Sequence, residues 1–348
     1  MSKTKINNIK EDELGIKNIN PENIKFLNCL ANDSYAYIGL DNTFIVFNSI
    51  NNIMNLIYTN ESKSIISYNL ITNKKINEIK NAHEYYIINL RYYQDIFNKR
   101  DLIISISCYD NNIKLWNIRN FECLLSFKNE DNQCDSLACF LNDNNQNYIV
   151  SINNSFKYKL DVINFKGELI KEIKDYYNNR TFVIDTYYDN KLSKNFIITG
   201  NEGFVKSYDY NENKIYKKYY DEDKRGHHSI IINNDNEIIQ LIESSFDGNI
   251  RIWDFHSGIL LKKIKVSFGL NSGWLYTVCL LNKNYLFVGC FSGILRIIDI
   301  KKGIVINELK NHNTPVICIK KIYIPNFGES LISQGFHKDG INLWVNEG

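Results

Sequence analysis

Few side chains in this sequence stand at spacings that support catalysis. There is no Gly-x-Ser-x-Gly elbow, no Gly-rich phosphate loop and no His-Glu-x-x-His pair. The 8 cysteines are scattered, without a Cys-x-x-Cys. Cys134 and Cys139 are the closest, and no His pair accompanies them, which argues against a zinc site or a disulfide framework. Cys279 and Cys318 fall in apolar runs, where Cys behaves as a small hydrophobe. Asp221-Glu222-Asp223 reads as a solvated loop rather than a set of catalytic carboxylates. Directly after it come Lys224-Arg225-Gly226-His227-His228, whose cations and imidazoles could grip a phosphate. The acidic triplet upstream would repel an anionic head group. The expectation is a chain with no catalytic residue, no cofactor and no metal.

A different pattern dominates, clearest over residues 227–254, HHSIIINNDNEIIQLIESSFDGNIRIWD. Two apolar runs, IIQLI and IRIW, flank Asp247-Gly248-Asn249, and Asp-Gly between apolar runs is a strong hairpin signal. With Trp253 as anchor, equivalent positions recur at Tyr68, Trp116, Ile163, Tyr208, Ile298 and Trp344, separated by 48, 47, 45, 45, 45 and 46 residues. After each of the first six anchors comes another strand-like run, such as KKINEIK, FECLLSFK or GIVINELK, whose apolar residues alternate only partly with charged ones. That suits a strand with one exposed face. A period in the mid-forties over seven units is a propeller-like period.

An opening His, a hairpin turning on Asp-Gly and a closing Trp-Asp together resemble one unit of the WD-repeat family. The residues carrying the resemblance are His83, Asp110 and Trp116 in unit two, His228, Asp247 and Trp253 in unit five, and His312, Asp339 and Trp344 in unit seven. The resemblance implies that His, a Ser or Thr, the turn Asp and the Trp form a buried hydrogen-bonded set. The physical reason is that an indole N–H and an imidazole are costly to bury without partners. This chain departs from the pattern, since Ile106 and Glu243 stand four residues before Asp110 and Asp247, with Ser107 and Ser244 one position later. His–Asp–Trp contacts are expected in units two, five and seven.

The resemblance implies an all-β chain: a seven-bladed β-propeller of four-stranded antiparallel blades, closed by an N-terminal strand. Residues 1–20 are charged and lack an apolar period, so a flexible tail is expected there, followed by a single propeller over 21–348. The seventh unit has only four residues beyond Trp344, too few for a fourth strand. An open propeller would expose an unpaired edge, and the strand-like runs within residues 24–41 are the spare segment that can close it. Asn is abundant and reads as a stand-in for Gly at turns. A formal net charge of +2 provides no global attraction to nucleic acid or anionic membrane. Residues 1–20 are polar and no apolar run approaches the ~18 residues of a membrane span, so a cytoplasmic or nuclear location is expected.

Partner binding is expected at one rim, because aromatic residues precede several turns between second and third strands: Tyr109, Phe246 and Phe291. Phe336, near the seventh turn, and Trp274, at the entry to unit six, join this set. The expected function is a non-catalytic scaffold, monomeric by itself, that docks peptide segments or subunits of a complex. The alternative rests on Lys224, Arg225, His227 and His228 as phosphate ligands. Lys224-Arg225-Gly226 resembles a reduced Arg-Arg-Gly signature of phosphoinositide-binding propellers of the autophagy type, which implies a peripheral membrane adaptor.

Overall fold

A computed structural model of the protein describes residues 21–36, 43–51, 53–109, 112–128, 137–152, 159–174, 180–222, 224–235, 238–267, 273–324 and 327–346. The expected tail, residues 1–20, lies outside these, as do Asp110 and Cys134.

After a short 3-10 turn at Pro21–Asn23, the chain forms β1 (Ile24–Ala31) and then a series of antiparallel meanders. Blade 1 is β2 (Phe44–Asn48), β3 (Met54–Thr59), β4 (Ile65–Asn69) and β5 (Lys74–Ile79). Blade 2 is β6 (Ile87–Asp95), β7 (Arg100–Ser107), β8 (Asn112–Asn117) and β9 (Glu122–Lys128). Blade 3 is β10 (Leu137–Asp143), β11 (Gln146–Ile152), β12 (Leu160–Asn164) and β13 (Leu169–Ile173). Blade 4 is β14 (Thr181–Asp189), β15 (Lys194–Asn201), β16 (Phe204–Asp209) and β17 (Lys214–Tyr220). Blade 5 is β18 (His227–Asp235), β19 (Ile238–Ser245), β20 (Asn249–Asp254) and β21 (Leu260–Lys265). Blade 6 is β22 (Leu275–Asn282), β23 (Tyr285–Cys290), β24 (Ile294–Asp299) and β25 (Ile304–Lys310). The last meander, β26 (Val316–Ile324), β27 (Gly328–Gly335) and β28 (Ile341–Asn346), has three strands, and β1 pairs antiparallel with β28 to complete blade 7.

The first strands touch in cyclic order, with β26 returning to β2, so the seven sheets form a closed ring. This is a seven-bladed β-propeller of four-stranded blades, and its N-terminal strand closes it as the sequence predicts. The register sets Lys25 opposite Val345 and Phe26 opposite Trp344, whose rings meet edge to face at 5.8 Å. Of the candidate closing segment, residues 37–41 lie outside the described residues, and the pairing with β28 is made by the first of its two runs.

Burial follows position in the blade. The second strands are nearly all buried, as in β3 and β7, whereas the outer strand β5 (KKINEI) is mostly exposed. A second strand has a neighbouring blade on both faces, which explains its Ile- and Val-rich runs. The core is divided among the blade interfaces. Between blades 4 and 5, Phe196, Val205 and Tyr219 pack with Leu241, Trp253 and Phe255. Gly248 shows why the turn needs its residue type. Its φ is +81°, and an added Cβ would lie 2.6 Å from the Ser267 carbonyl oxygen. At the turns between third and fourth strands, Asn73 and Asn213 take positive φ where Gly258 and Gly303 do so in later blades, the substitution expected from the Asn excess.

Candidate interaction surface

In blade 7, Ser333 Oγ lies 2.7 Å from His312 Nε2 and accepts the Trp344 Nε1–H at 2.7 Å. His312 Nδ1 is 3.3 Å from Asp339 Oδ2, which also accepts the Thr314 hydroxyl at 2.9 Å. Burial alone would raise the Asp339 carboxyl, but these His312 and Thr314 contacts hold it below the ordinary carboxylate value. Blade 2 repeats the core of the set, with Ser105 Oγ 2.7 Å from His83 Nε2 and accepting Trp116 Nε1–H at 2.8 Å. The serine is therefore Ser105, five residues before Asp110. The connection between β7 and β8 is one residue longer than that between β19 and β20, which moves the expected spacing.

Blade 5 is built differently, and two expectations change. The imidazole in the set is His227, not His228, and its partner is Glu243 in the serine's place. Glu243 also accepts the Trp253 Nε1–H at 3.2 Å. Asp247 here binds the fully buried Arg251 at 2.6 Å, and Arg251 Nε donates to Asp221 at 2.9 Å. Asp221 is held further by Lys263 at 2.6 Å, and that lysine above all, with Arg251, pulls its carboxyl well below the ordinary value. The residue expected in a solvated loop is thus a partner of a buried cation.

The same β18 start decides what the phosphate-grip residues do. His227 and His228 are both buried, whereas Lys224 and Arg225 are exposed. The two imidazoles therefore do not join the two cations on the surface. A register shift between His227 and Ser229 makes His228 a bulge residue. The same shift recurs at Ile88, Phe182, Tyr276 and Ile317, so five inner strands carry it near their start, whereas β2 and β10 pair without one. His228 meets both Phe182 and Tyr276, Tyr276 and Ile317 share a buried cluster, and Ile88 packs instead between blades 2 and 3.

Around them the aromatic residues converge. Phe246, Trp274, Phe291 and Phe336 are half-buried and pack on buried Ala36, Tyr276 and Ile317. Their backbone positions match in kind: the N–H groups of Phe246, Phe291 and Phe336 donate to the carbonyls of Gly226, Trp274 and Pro315 at 3.0, 2.9 and 3.0 Å. Phe182, His228, Phe246 and Trp274 form a column with successive centroid separations of 4.3, 3.7 and 4.4 Å. Tyr276 meets that column edge-on, at interplanar angles between 71° and 77°. Burial first, and then the nearby Arg180 and His227, holds the His228 imidazole well below its ordinary value, so it is neutral at pH 7. His228 Nε2, Trp274 Nε1 and the Tyr276 hydroxyl have no hydrogen-bond partner among the described residues.

Tyr109 stands apart. Because of the longer turn, Cys108 takes the equivalent backbone position and donates to the Tyr86 carbonyl at 3.0 Å. Tyr109 follows at φ +60°, 53% exposed, with its ring 5.8 Å from Tyr85. Four of the five expected aromatics therefore share one surface. Sequence reading missed Phe182, His228 and Tyr276 as its floor, although each sits in the first two residues of its blade's first strand. Compared with known proteins, the chain matches no protein-family model and no curated protein.

Proposed function

We propose that the protein is a non-catalytic scaffold of the WD-repeat type, located in the cytoplasm or nucleus, that docks protein segments on the aromatic end of its propeller axis. The observation carrying this reading is the convergence of Phe246, Trp274, Phe291 and Phe336, from blades 5, 6 and 7, on one half-buried surface. Aromatic side chains grouped on a rigid frame provide large contact area at little conformational cost, and such anchors carry much of the energy of protein interfaces. The unpartnered Trp274 and Tyr276 donors add a demand for hydrogen-bond acceptors, which a peptide backbone supplies. The His–Ser–Trp sets of blades 2 and 7 support the WD-repeat assignment.

The membrane-adaptor reading has less support. Two of its four phosphate ligands are buried, which leaves only Lys224 and Arg225 of that set exposed. The test is the double substitution Phe246→Ala and Phe291→Ala, with folding checked by circular dichroism and partners captured from a lysate. Each truncation is expected to weaken docking by about 2 kcal/mol. An unchanged partner list from a folded variant would move the binding surface elsewhere, and flotation of the wild-type protein with phosphoinositide vesicles would favour the membrane reading.

A further inference from the structure

Three residues past the bulge at Ile88, β6 carries Arg91 into a cavity of about 420 Å3 bounded by blades 1, 2, 3, 4 and 7. That volume suits a small molecule. Among the described residues, three charged side chains line it: Arg91, Lys320 from β26 and Asp185 from β14. Two of these three are cations.

The polar groups of the wall are largely engaged with one another. The Tyr92 hydroxyl donates to Asp101 at 2.8 Å, the Tyr93 hydroxyl to Asn147 at 2.6 Å and the Thr186 hydroxyl to the Phe140 carbonyl at 2.7 Å. Asp185 accepts the Thr186 backbone N–H at 2.8 Å. Arg91 is the exception. Its Nη2 donates to the Ile184 carbonyl at 2.7 Å, which fixes the guanidinium plane. Its Nε is buried and has no hydrogen-bond partner among the described residues. A buried donor on a cation left without an acceptor is costly, and the cost is removed by an acceptor that arrives with a ligand.

We infer that this cavity binds a small free oxyanion, a carboxylate or a phosphate, through the Arg91 guanidinium with Lys320 as the second cation. A guanidinium pinned at one nitrogen presents a planar donor edge suited to two-oxygen groups, and the ammonium adds charge without demanding geometry. Asp185 works against the bound anion and limits its affinity. The site lies at mid-length of the inner strands β6, β14 and β26 and shares no residue with the aromatic surface, so it does not depend on the docking reading.

The probes are inorganic phosphate and succinate, titrated separately by calorimetry against potassium chloride at matched ionic strength. Saturable binding of either supports the site, and the preferred probe separates phosphoryl from carboxylate ligands. Lys320→Gln is expected to weaken binding by about tenfold or more, and Arg91→Gln at least as much. Asp185→Asn is expected to tighten it several-fold by removing the like charge. Should Arg91→Gln fail to fold for want of its bond to Ile184, the Lys320 and Asp185 variants carry the test. Absence of saturable binding by the wild type, or an affinity indifferent to both variants, overturns the inference.

Discussion

Glu243 occupies in blade 5 the place that serine holds in blades 2 and 7, and the exchange changes the chemistry of the set. A serine hydroxyl satisfies one indole and one imidazole, whereas the carboxylate brings a charge into a fully buried position. That charge lies 4.0 Å from Arg251, which pairs more closely with Asp247 and Asp221. Removing one member of a buried charged set leaves the rest uncompensated. Glu243→Ala is therefore expected to cost about 3–5 kcal/mol in urea unfolding, against about 1–3 kcal/mol for Ser333→Ala. Glu243→Ser should recover part of the loss, since a hydroxyl there can still accept from Trp253. If Ala and Ser at 243 prove equal, the carboxylate acts through charge alone and the parallel with the serine blades fails. The His, Trp and turn Gly were visible as residue types, but the identity of the third partner was not. It depended on a one-residue difference in turn length in blade 2 and on a substitution in blade 5.

Among the elements, β1 has the greatest leverage, because it belongs to a blade formed from both ends of the described chain. It buries Ile24 and Ala31, sets Phe26 on Trp344 and covers the edge of β28. Relative to a chain beginning at Pro21, deletion through Ala31 is expected to lower stability by at least about 3 kcal/mol and to expose a sticky edge. Thermal melting with light scattering reads both effects. A deletion that melts like its reference would show that blade 7 stands without its fourth strand. The run IKFLNCL was legible in the sequence as a strand. The bulges that open the inner strands were not, because a bulge is a two-strand register property and a single run of apolar residues does not encode it.

For the molecule as a whole, the decisive feature is that the ring closes between blades 7 and 1. Phe44 and Leu56 of blade 1 pack there with Cys318, Ile332 and Leu343 of blade 7 and with Ala31 of the closing strand. Phe44→Ala is expected to cost about 3–5 kcal/mol in the full chain. Because the seam shares its contacts with β1, the cost should shrink by at least about 0.5 kcal/mol once β1 is removed. Strictly additive losses in that double-mutant cycle would mean that the seam is not one unit. The repeat length near 45 residues and the strand-like runs after the anchors marked seven propeller-like units in the sequence, because strand period and turn chemistry are local properties, and the resemblance to the WD-repeat family implied the four-stranded blade. They also marked four of the aromatics that share a surface. Only the tertiary structure decided that His228 rather than His227 faces the axis, that Tyr109 stays outside the cluster and that Arg91 ends in a cavity with Lys320 and Asp185. Those pairings join residues from different blades, and their positions depend on bulges and turn offsets that become defined only when the ring packs.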